Sequence, residues 1–419
     1  MLSDFNESIQ LLWQSDIYLL LFFIIMFDIP RYSLATIAVV ISGFRPTNIP
    51  PTYKPQVSVV LSLFNGADKF SKCIEALHKQ TAKPFEIIVI DDGSTDHTKS
   101  VAEQALDSDL ISSFIHHPTR CGKAASINHG ARFATGDLIL TLDDDTIVSP
   151  SGIQILASTF ADEQVAIASG NLSVRNKDVS IWTSLQAIEY LISITLGRYF
   201  LHLFGAVACC SGAFSMIRRS AYLAVGGNNT GPGEDLELTL RIREFGYKAL
   251  FVHDAMASVD APSSFQALVR QRMRWDRDSL NIRLNMFHEL SFRKPKEILR
   301  DTLQRMDFII FELIPTIVLP FYLTYILIEL GDAALTYLAA VYLFVLALYV
   351  LNLSLAVIIT NHRLNLFDAA VILVFPLYQG IIMKLVRFIA FSREILFSDS
   401  QRDDYVPPRV RRSLYLKKS

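Results

Sequence analysis

The sequence has little charge and little cysteine. Charged residues make up 19% of its 419 residues, against about 25% in an average globular protein. The 39 basic and 41 acidic residues nearly cancel, so the basic excess of a nucleic-acid-binding protein is missing and we expect no nucleic-acid partner. The four cysteines, Cys73, Cys121, Cys209 and Cys210, have no CxxC spacing. This argues against a zinc module or a disulfide scaffold and for reduced thiols.

Hydrophobic residues, 51% of the total, are concentrated towards both ends of the chain. Residues 17–27 and 32–43 are each shorter than the about 20 residues that span a bilayer, so together they predict one amino-terminal membrane helix. A cleaved signal peptide fits less well, because no Lys or Arg precedes residue 17. Near the other end, residues 308–330 and 335–360 are long enough to span, and residues 367–391 form a third, interrupted candidate.

The charges that flank these helices predict their orientation. The first 16 residues include three acidic and no basic residues, whereas Arg45 and Lys54 follow the first helix. We therefore expect an integral protein of the plasma (inner) membrane, with the amino terminus outside and the large domain in the cytosol. If residues 367–391 span, the basic tail lies outside, against the positive-inside rule. A re-entrant or interfacial segment is the alternative that stays open.

These patterns divide the chain into five regions. They are an amino-terminal transmembrane helix (1–44), a cytosolic domain (45–275), interfacial helices (276–306), a carboxy-terminal membrane region of two to three spans (307–392) and a basic tail (393–419). Only the second region has the mixed polar and apolar composition of a large globular domain, so we expect the chemistry of the protein to lie there.

Within the cytosolic domain, strand and helix patterns alternate. Residues 56–63, 85–90 and 138–142 are rich in β-branched and other apolar residues, and residues 69–80 and 98–106 have helical spacing. This alternation predicts an α/β fold with a mainly parallel sheet that carries helices on both faces. In such sheets, ligands bind beyond the carboxyl ends of the strands.

Acidic residues follow two of these strands. Asp91 and Asp92 end the second strand, where turn and helix-cap roles compete with ligand binding. Asp143, Asp144 and Asp145 follow the third strand, and three adjacent carboxylates repel one another unless a cation or a donor compensates. Carboxylate oxygens favour Mg²⁺ or Mn²⁺, which bridge carboxylates to substrate phosphates. Alternate residues of an extended segment share a side, so Asp143 and Asp145 are expected to face one ligand.

Two further motifs place charged groups at predicted helix starts. Lys123 follows Gly122, where free backbone N–H groups and the ammonium suit a phosphate, although this pair lacks the spacing of a Walker loop. Glu234 and Asp235 follow a glycine-rich turn. Carboxylates in the first turn suit the helix dipole, and the functional alternative is a general base.

Residues 270–278, RQRMRWDRD, precede the predicted membrane helices. Basic residues and Trp are common anchors at a membrane interface. In a helix, however, Gln271, Arg274 and Trp275 share one face. That face combines an amide, a guanidinium and a flat ring, which suit hydroxyl groups, a pyrophosphate and the face of a sugar.

In this order the motifs resemble the membrane-embedded family 2 glycosyltransferases, which are the synthases of cellulose, chitin oligosaccharide, hyaluronan and poly-N-acetylglucosamine. The resemblance covers about residues 57–275. It rests on VIDDGSTD, the GK, NHG and TGDLILTLDDDT run, GEDLELTLR, and the QxxRW pattern realised as QRMRW. It implies a GT-A nucleotide-sugar fold. One departure is the Gly-Pro-Gly of residues 231–233, where Thr or Ser is expected nearby, so the sugar is less well determined than the reaction class.

The resemblance also implies a role for each motif. The donor-binding residues would be Asp91, Asp92, Lys123, Asp143 and Asp144, with Asp92 at the uridine and Lys123 near the diphosphate. Asp143 and Asp145 would be the carboxylates of the DxD motif and hold Mg²⁺ or Mn²⁺. Asp235, with Glu234 beside it, would deprotonate the acceptor hydroxyl. The leaving diphosphate and the acceptor terminus would be bound by Gln271, Arg272, Arg274 and Trp275.

The predicted function is that of a processive, inverting hexosyltransferase. It would polymerise a β-linked polysaccharide from UDP-N-acetylglucosamine or UDP-glucose and pass it through the membrane. Its partners would be the UDP-sugar donor, the growing glycan acceptor and the lipid membrane, with accessory subunits or a homo-oligomer left open. The alternative is a non-processive enzyme of the same fold that adds one sugar to a lipid or glycan acceptor. A catalytically dead scaffold has no need for intact Asp145, Asp235 and Arg274, and a transporter needs more helices.

Overall fold

The structure, a computed structural model, describes residues 22–43, 46–50, 52–229, 233–286, 295–360 and 366–402. Part of the predicted amino-terminal helix, most of the predicted basic tail and two residues of the Gly-Pro-Gly turn, Gly231 and Pro232, lie outside these residues. The described part of the amino-terminal segment is helical and ends at Ser42.

An eight-stranded sheet forms the centre of the domain. Its strands are β1 (Val57–Leu63), β2 (Glu86–Asp91), β3 (Ser113–His116), β4 (Leu138–Leu142), β5 (Ile147–Val148), β6 (Val165–Val174), β7 (Phe214–Arg218) and β8 (Lys248–Val259). They are arranged in the order β3-β2-β1-β4-β7-β6-β8-β5. The three strands predicted from the sequence correspond to β1, β2 and β4 within one residue at each end.

The sheet is mixed, which corrects the predicted mainly parallel sheet. Strands β3, β2, β1 and β4 are parallel, but β7 is antiparallel to both of its neighbours, β4 and β6. Strand β5 is antiparallel to β8, and β6 is parallel to β8. Hydrophobic patterns carry no information on strand direction. They therefore could not predict that β7 runs antiparallel to its neighbours. Because β6 and β7 are antiparallel, the end of β6 and the start of β7 lie at the same edge of the sheet. Residues 175–213, which connect these two strands, therefore leave and rejoin the sheet at the carboxyl edge of β4.

Helices pack on the sheet and continue beyond it. Those of the first part are α1 (Ile29–Ser42), α2 (Ala67–His78), α3 (Thr98–Asp107), α4 (Lys123–Phe133), α5 (Gly152–Ser158), α6 (Ile181–Glu189), α7 (Arg198–Leu203), α8 (Arg219–Ala224) and α9 (Glu234–Glu244). Those that follow the sheet are α10 (Phe265–Asn281), α11 (Pro295–Phe308), α12 (Ile314–Leu330), α13 (Ala334–Thr360), α14 (Leu366–Val371), α15 (Phe375–Leu377) and α16 (Met383–Phe397). Short π-helical segments include Tyr190–Gly197 and Tyr378–Ile382.

The central strands present apolar side chains to both faces of the sheet. On β1, Val59 and Leu61 join one core cluster together with Phe70 of α2. Val60 points to the opposite cluster, which contains Ile127 of α4. All five side chains are nearly inaccessible to solvent. Burial on both faces explains why these strands appear in the sequence as continuous apolar runs and not as alternating ones.

One helical run among the described residues, Leu299–Ile358, is long and apolar enough to cross a membrane, judged by length and composition alone. This run turns back near Gly331, because the hydroxyls of Tyr322 and Tyr337 lie 2.8 Å apart, whereas 15 residues of straight helix span about 22 Å. The third predicted segment is broken into α14, α15, a π-helical turn and α16. Membrane-spanning helices at both ends of the chain stay predictions.

Gly170 on β6 is required by the close packing of the sheet. A Cβ atom at this position would lie 2.2 Å from the ring of Phe214 and 2.5 Å from the carbonyl oxygen of Ala255. Overpacking of a core typically costs about 1–3 kcal/mol, so Gly170→Ala should lower the thermal unfolding midpoint of the purified chain. Gly197→Ala is the matched control, since its Cβ would meet its nearest atom at 3.7 Å. Equal midpoints for both variants would contradict this packing.

Candidate active site

A cavity of about 910 Å³ opens at the carboxyl edge of the parallel strands. The strand register brings the predicted acidic clusters to this edge, because Leu63 pairs with Asp91 and Leu61 pairs with Leu142. Of the predicted site residues, those lining the cavity are Asp92, Lys123, Asp143, Asp144, Asp145, Glu234, Asp235, Gln271, Arg272, Arg274 and Trp275. Residues as far apart in the sequence as Asp92 and Trp275 therefore contribute to one site.

Lys123 joins the two carboxylate clusters of the cavity. It is the first residue of α4, and its ammonium donates a short hydrogen bond to Asp143. The same ammonium lies 3.6 Å from a carboxylate oxygen of Glu234. The Lys123 side chain thus bridges the end of β4 and the start of α9. Its ammonium is therefore placed to contact a phosphate that enters the cavity.

Asp144 and Asp145 are crowded carboxylates at the end of β4. Burial and, to a smaller extent, the charge of Asp145 raise the pKa of Asp144 to about 6. Burial and the charge of Asp143 also raise the pKa of Asp145, although Lys69 lies 3.4 Å from its carboxylate. Excess negative charge on oxygen ligands fits Mg²⁺ or Mn²⁺. Gly66 permits this crowding, because a Cβ there would lie 2.1 Å from an Asp144 oxygen.

Asp91 and Asp92 have different surroundings. Asp91 is fully buried, accepts a hydrogen bond from the backbone N–H of Ser94 and lies 2.7 Å from the ring of His116. It is not among the residues that line the cavity. Asp92 does line the cavity, and its two oxygens accept hydrogen bonds from the backbone N–H groups of Cys121 and Gly122, at 2.7 and 2.8 Å. Asp92 therefore fixes the loop that leads into Lys123.

Glu234 and Asp235 occupy the first turn of α9. One oxygen of Asp235 accepts a hydrogen bond from the backbone N–H of Gly212 at 3.1 Å, and the other accepts one from Leu236. Gly233 precedes them with a φ of +67°, and a Cβ there would lie 2.6 Å from Ile282. Burial raises the pKa of Glu234, and Lys123 opposes that shift. The two neighbouring carboxylates are thus held in distinct environments.

Helix α10 carries the QxxRW motif along the opposite wall. Gln271, Arg274 and Trp275 line the cavity, and Trp275 is 40% exposed. Arg272 pairs with Glu189 at 2.9 Å, and its guanidinium lies 4.6 Å from the centre of the Trp275 ring. Arg272 thus supports the indole from one side and leaves its other surface available to the cavity.

Glu189, Tyr378 and Gln379 line or support this wall but were not predicted from the sequence. The hydroxyl of Tyr378 donates a hydrogen bond to the same Glu189 oxygen that Arg272 contacts, at 2.7 Å. Within the part of the chain that the structure describes, the side-chain oxygens of Gln271 and Gln379 are buried without a hydrogen-bond partner. Both residues line the cavity. A polar residue inside the apolar segment 367–391 was the available signal for Gln379.

Comparisons with known proteins relate the chain to glycosyltransferases. Residues 58–226 match the family model Glycosyl transferase family 2, and residues 228–391 match the Chitin synthase model. An N-acetylglucosaminyltransferase of Mesorhizobium japonicum is 31% identical over 265 residues, which are 58% of this chain and 62% of that relative. One of Azorhizobium caulinodans is 29% identical over 273 residues, 60% of this chain and 68% of the relative. The alignment with the first relative thus covers less than two thirds of its length.

A solved structure shows the same fold. The mannosyltransferase PcManGT from Pyrobaculum calidifontis, in complex with GDP-Man and Mn²⁺, superimposes with a TM-score of 0.61 at 18% sequence identity. The superposition covers 87% of this chain and 93% of that one. The predicted GT-A-type α/β fold is therefore confirmed, apart from the mixed strand directions.

We expect cation binding at the end of β4 to depend on pH. Asp144 lies in sequence between the predicted metal ligands Asp143 and Asp145, and its pKa is about 6, above its ordinary value. Its protonation removes negative charge that favours a cation. The apparent affinity of the full chain for Mn²⁺, measured by the EPR signal of the free ion, should fall at least about tenfold from pH 7 to pH 5. Asp144→Asn should bind more weakly at pH 7 and lose most of this dependence.

A surface carboxylate provides the control for this titration. Asp162 pairs with Lys248 and does not line the cavity, so Asp162→Asn should keep the wild-type pH profile. An affinity of the wild-type chain that stays constant down to pH 5 would show that Asp144 takes no part in cation binding.

Proposed function

The chain is a glycosyltransferase with a family 2 domain over residues 58–226, and from this premise we propose that it polymerises a β-linked polysaccharide from UDP-N-acetylglucosamine. The match of residues 228–391 to the Chitin synthase model and the names of the relatives, N-acetylglucosaminyltransferases, favour this sugar over glucose. The reaction is a single in-line displacement that inverts the configuration at the anomeric carbon.

One observation carries the proposal. A single cavity contains a lysine between two carboxylate clusters at one end and an exposed indole with unsatisfied amides at the other. The first set suits a nucleoside diphosphate, and the second suits the hydroxyl-rich face of a sugar. Because both sets face the same space, donor and acceptor can meet there.

Lys123, Asp143, Asp144 and Asp145 form the donor end. Asp143 and Asp145 would hold the Mg²⁺ or Mn²⁺ ion, whose charge, when bound, neutralises the negative charge that builds up on the leaving diphosphate. Lys123 exchanges its contacts with Asp143 and Glu234 for the diphosphate oxygens. Asp92 contributes indirectly, because its hydrogen bonds to Cys121 and Gly122 position the start of α4.

Asp235 is the general base. Its carboxylate is fixed by hydrogen bonds from Gly212 and Leu236, and it retains lone pairs for the acceptor hydroxyl. Glu234 is the less suitable base, because burial raises its pKa and favours the protonated form. The proton leaves the attacking hydroxyl for Asp235 while the bond between the anomeric carbon and the diphosphate breaks.

Gln271, Arg274 and Trp275 hold the acceptor terminus, with Arg274 also within reach of the leaving diphosphate. Beyond them the cavity continues to residues of the carboxy-terminal helices, among them Asn352 of α13 and Gln379. This polar continuation favours a processive enzyme that retains its product and passes it towards the membrane. A non-processive transferase would have no use for the unsatisfied side-chain oxygen of Gln379 beyond the acceptor terminus.

The membrane arrangement is part of the proposal. We place the catalytic domain in the cytosol and the amino terminus outside, with the predicted spans 308–330 and 335–360, which lie largely within the apolar run Leu299–Ile358, in the bilayer. The match of residues 228–391 to the Chitin synthase model supports a membrane association of this part. Accessory subunits and homo-oligomers are compatible with this arrangement.

Labelled donors test the proposed reaction. Membranes that contain the chain should convert UDP-N-acetylglucosamine, and not UDP-glucose, into a polymer that β-linkage-specific hydrolases degrade. Asp235→Asn should bind UDP as the wild type does but lose about 10²- to 10⁴-fold in turnover, the usual contribution of a general base. Loss of UDP binding with intact turnover per bound donor would make Asp235 a binding residue. Wild-type membranes that form no product from either donor would contradict the proposed reaction.

Trp275 tests whether the enzyme is processive. As an acceptor platform it needs its full indole face, and a shift of about 1 Å in the acceptor can cost about a hundredfold in rate. Trp275→Ala should therefore stay in the membrane and hydrolyse donor while making shorter polymer or none. Trp275→Phe distinguishes an acceptor platform from an interfacial anchor. An anchor tolerates this change, whereas a platform that needs the full indole face does not. Polymer of wild-type length from Trp275→Ala would identify Trp275 as an anchor.

A further inference from the structure

A second cluster of metal-ligating side chains lies beside the donor end of the cavity. Asp92 follows β2, His117 follows β3, and Cys121 lies in the loop before α4. One ligand atom from each of the three lies within 4.8 Å of the others. Asp92 and His117 are 2% and 9% exposed, whereas Cys121 is partly exposed and lines the cavity. Two of the three ligands are thus buried, and the third is accessible from the cavity.

Hydrogen bonds already orient two of the three ligands. The Asp92 carboxylate accepts the backbone N–H groups of Cys121 and Gly122 and lies 3.3 Å from Nδ1 of His117. On its other side, Nε2 of His117 lies 2.8 Å from Nδ1 of His129, and the two rings stack with centroids 5.1 Å apart. Metal-binding histidines almost always use their second nitrogen in this way, and such partners fix the ring orientation.

We propose that Asp92, His117 and Cys121 form a binding site for a transition-metal ion of the zinc class. A thiolate and an imidazole are soft or intermediate ligands that select Zn²⁺, while Mg²⁺ and Mn²⁺ prefer the all-oxygen pair of Asp143 and Asp145. Three protein ligands leave the fourth tetrahedral position open towards the cavity. Cys121 binds as the thiolate, and its proton is released to solvent.

A bound ion would compete with the donor. Asp92 and Cys121 both line the donor end of the cavity, and Cys121 is two residues before Lys123. An ion held there draws the Cys121 loop towards His117 and occupies space beside the diphosphate. This consequence rests on the proposed donor site, whereas metal binding itself does not.

Competition with a chromogenic chelator measures the site directly. The full chain in detergent, with excess Mg²⁺ to occupy the oxygen ligands, should bind Zn²⁺ through Cys121. Cys121→Ser and His117→Gln should each weaken this affinity at least about 100-fold, and His129→Gln about 10- to 100-fold, as for an outer partner. Cys209→Ser is the matched control, because Cys209 also lines the cavity. Equal affinity in all variants would overturn the proposal.

Two measurements do not depend on the folding of a variant. Co²⁺ bound to the wild-type chain should show thiolate-to-metal charge-transfer absorption, and Zn²⁺ should protect Cys121 from alkylation more than it protects Cys209. Absence of both effects would also overturn the site. Finally, saturating Zn²⁺ should weaken UDP binding at least about tenfold in the wild type and leave Cys121→Ser unaffected. Unchanged UDP binding would refute the competition alone, while a chain that binds Zn²⁺ but never UDP would refute the proposed function.

Discussion

The compensation of buried negative charge determines how this cavity is built. Five of the carboxylates that line it belong to the two clusters at the end of β4 and the start of α9: Asp143, Asp144, Asp145, Glu234 and Asp235. Lys123 contacts one member of each cluster, and burial still raises the pKa of Asp144 and Glu234. Because like charges in a low-dielectric site repel, the proposed divalent ion would relieve the cluster at the end of β4. Lys123 would then become available to the diphosphate of the proposed donor. In the proposed function, repulsion within the protein thus favours the binding of cation and donor together.

The parallel half of the sheet is what brings these charges together. Strands β1, β2 and β4 end at one edge, so Asp92 and Asp143 approach each other although 50 residues separate them in the sequence. The antiparallel β7 has a different effect. Its connection to β6 returns to the same edge and contributes Glu189 and Gly212 to the cavity. The parallel strands therefore position the predicted donor-binding residues, and the antiparallel β7 positions the segment that forms another part of the cavity wall.

Patterns in the sequence predicted the elements whose structure depends on residues close together in the chain. Strands β1, β2 and β4 are continuous apolar runs, and the acidic and glycine-rich motifs mark their ends. The direction of β7 and the Arg272–Glu189–Tyr378 contacts depend on tertiary packing between distant segments, for which one sequence provides no signal. Asp91 illustrates the difference: adjacent to Asp92 in the motif, it is buried under His116 because alternate residues at a strand end face opposite sides.

The acceptor wall is joined to the carboxy-terminal helices by buried ion pairs. Arg272 contacts Glu189, which Tyr378 also binds, and Asp276 pairs with Arg387 of α16 at 2.9 Å. A buried ion pair adds little stability relative to apolar packing. Removal of one partner, however, leaves a buried charge uncompensated and typically lowers the free energy of unfolding by about 3–5 kcal/mol. Such pairs therefore restrict α10 to one position against α16. A shift of the carboxy-terminal helices would then move Trp275 as well. In the proposed function, product movement beyond the cavity and placement of the acceptor terminus would therefore be mechanically linked.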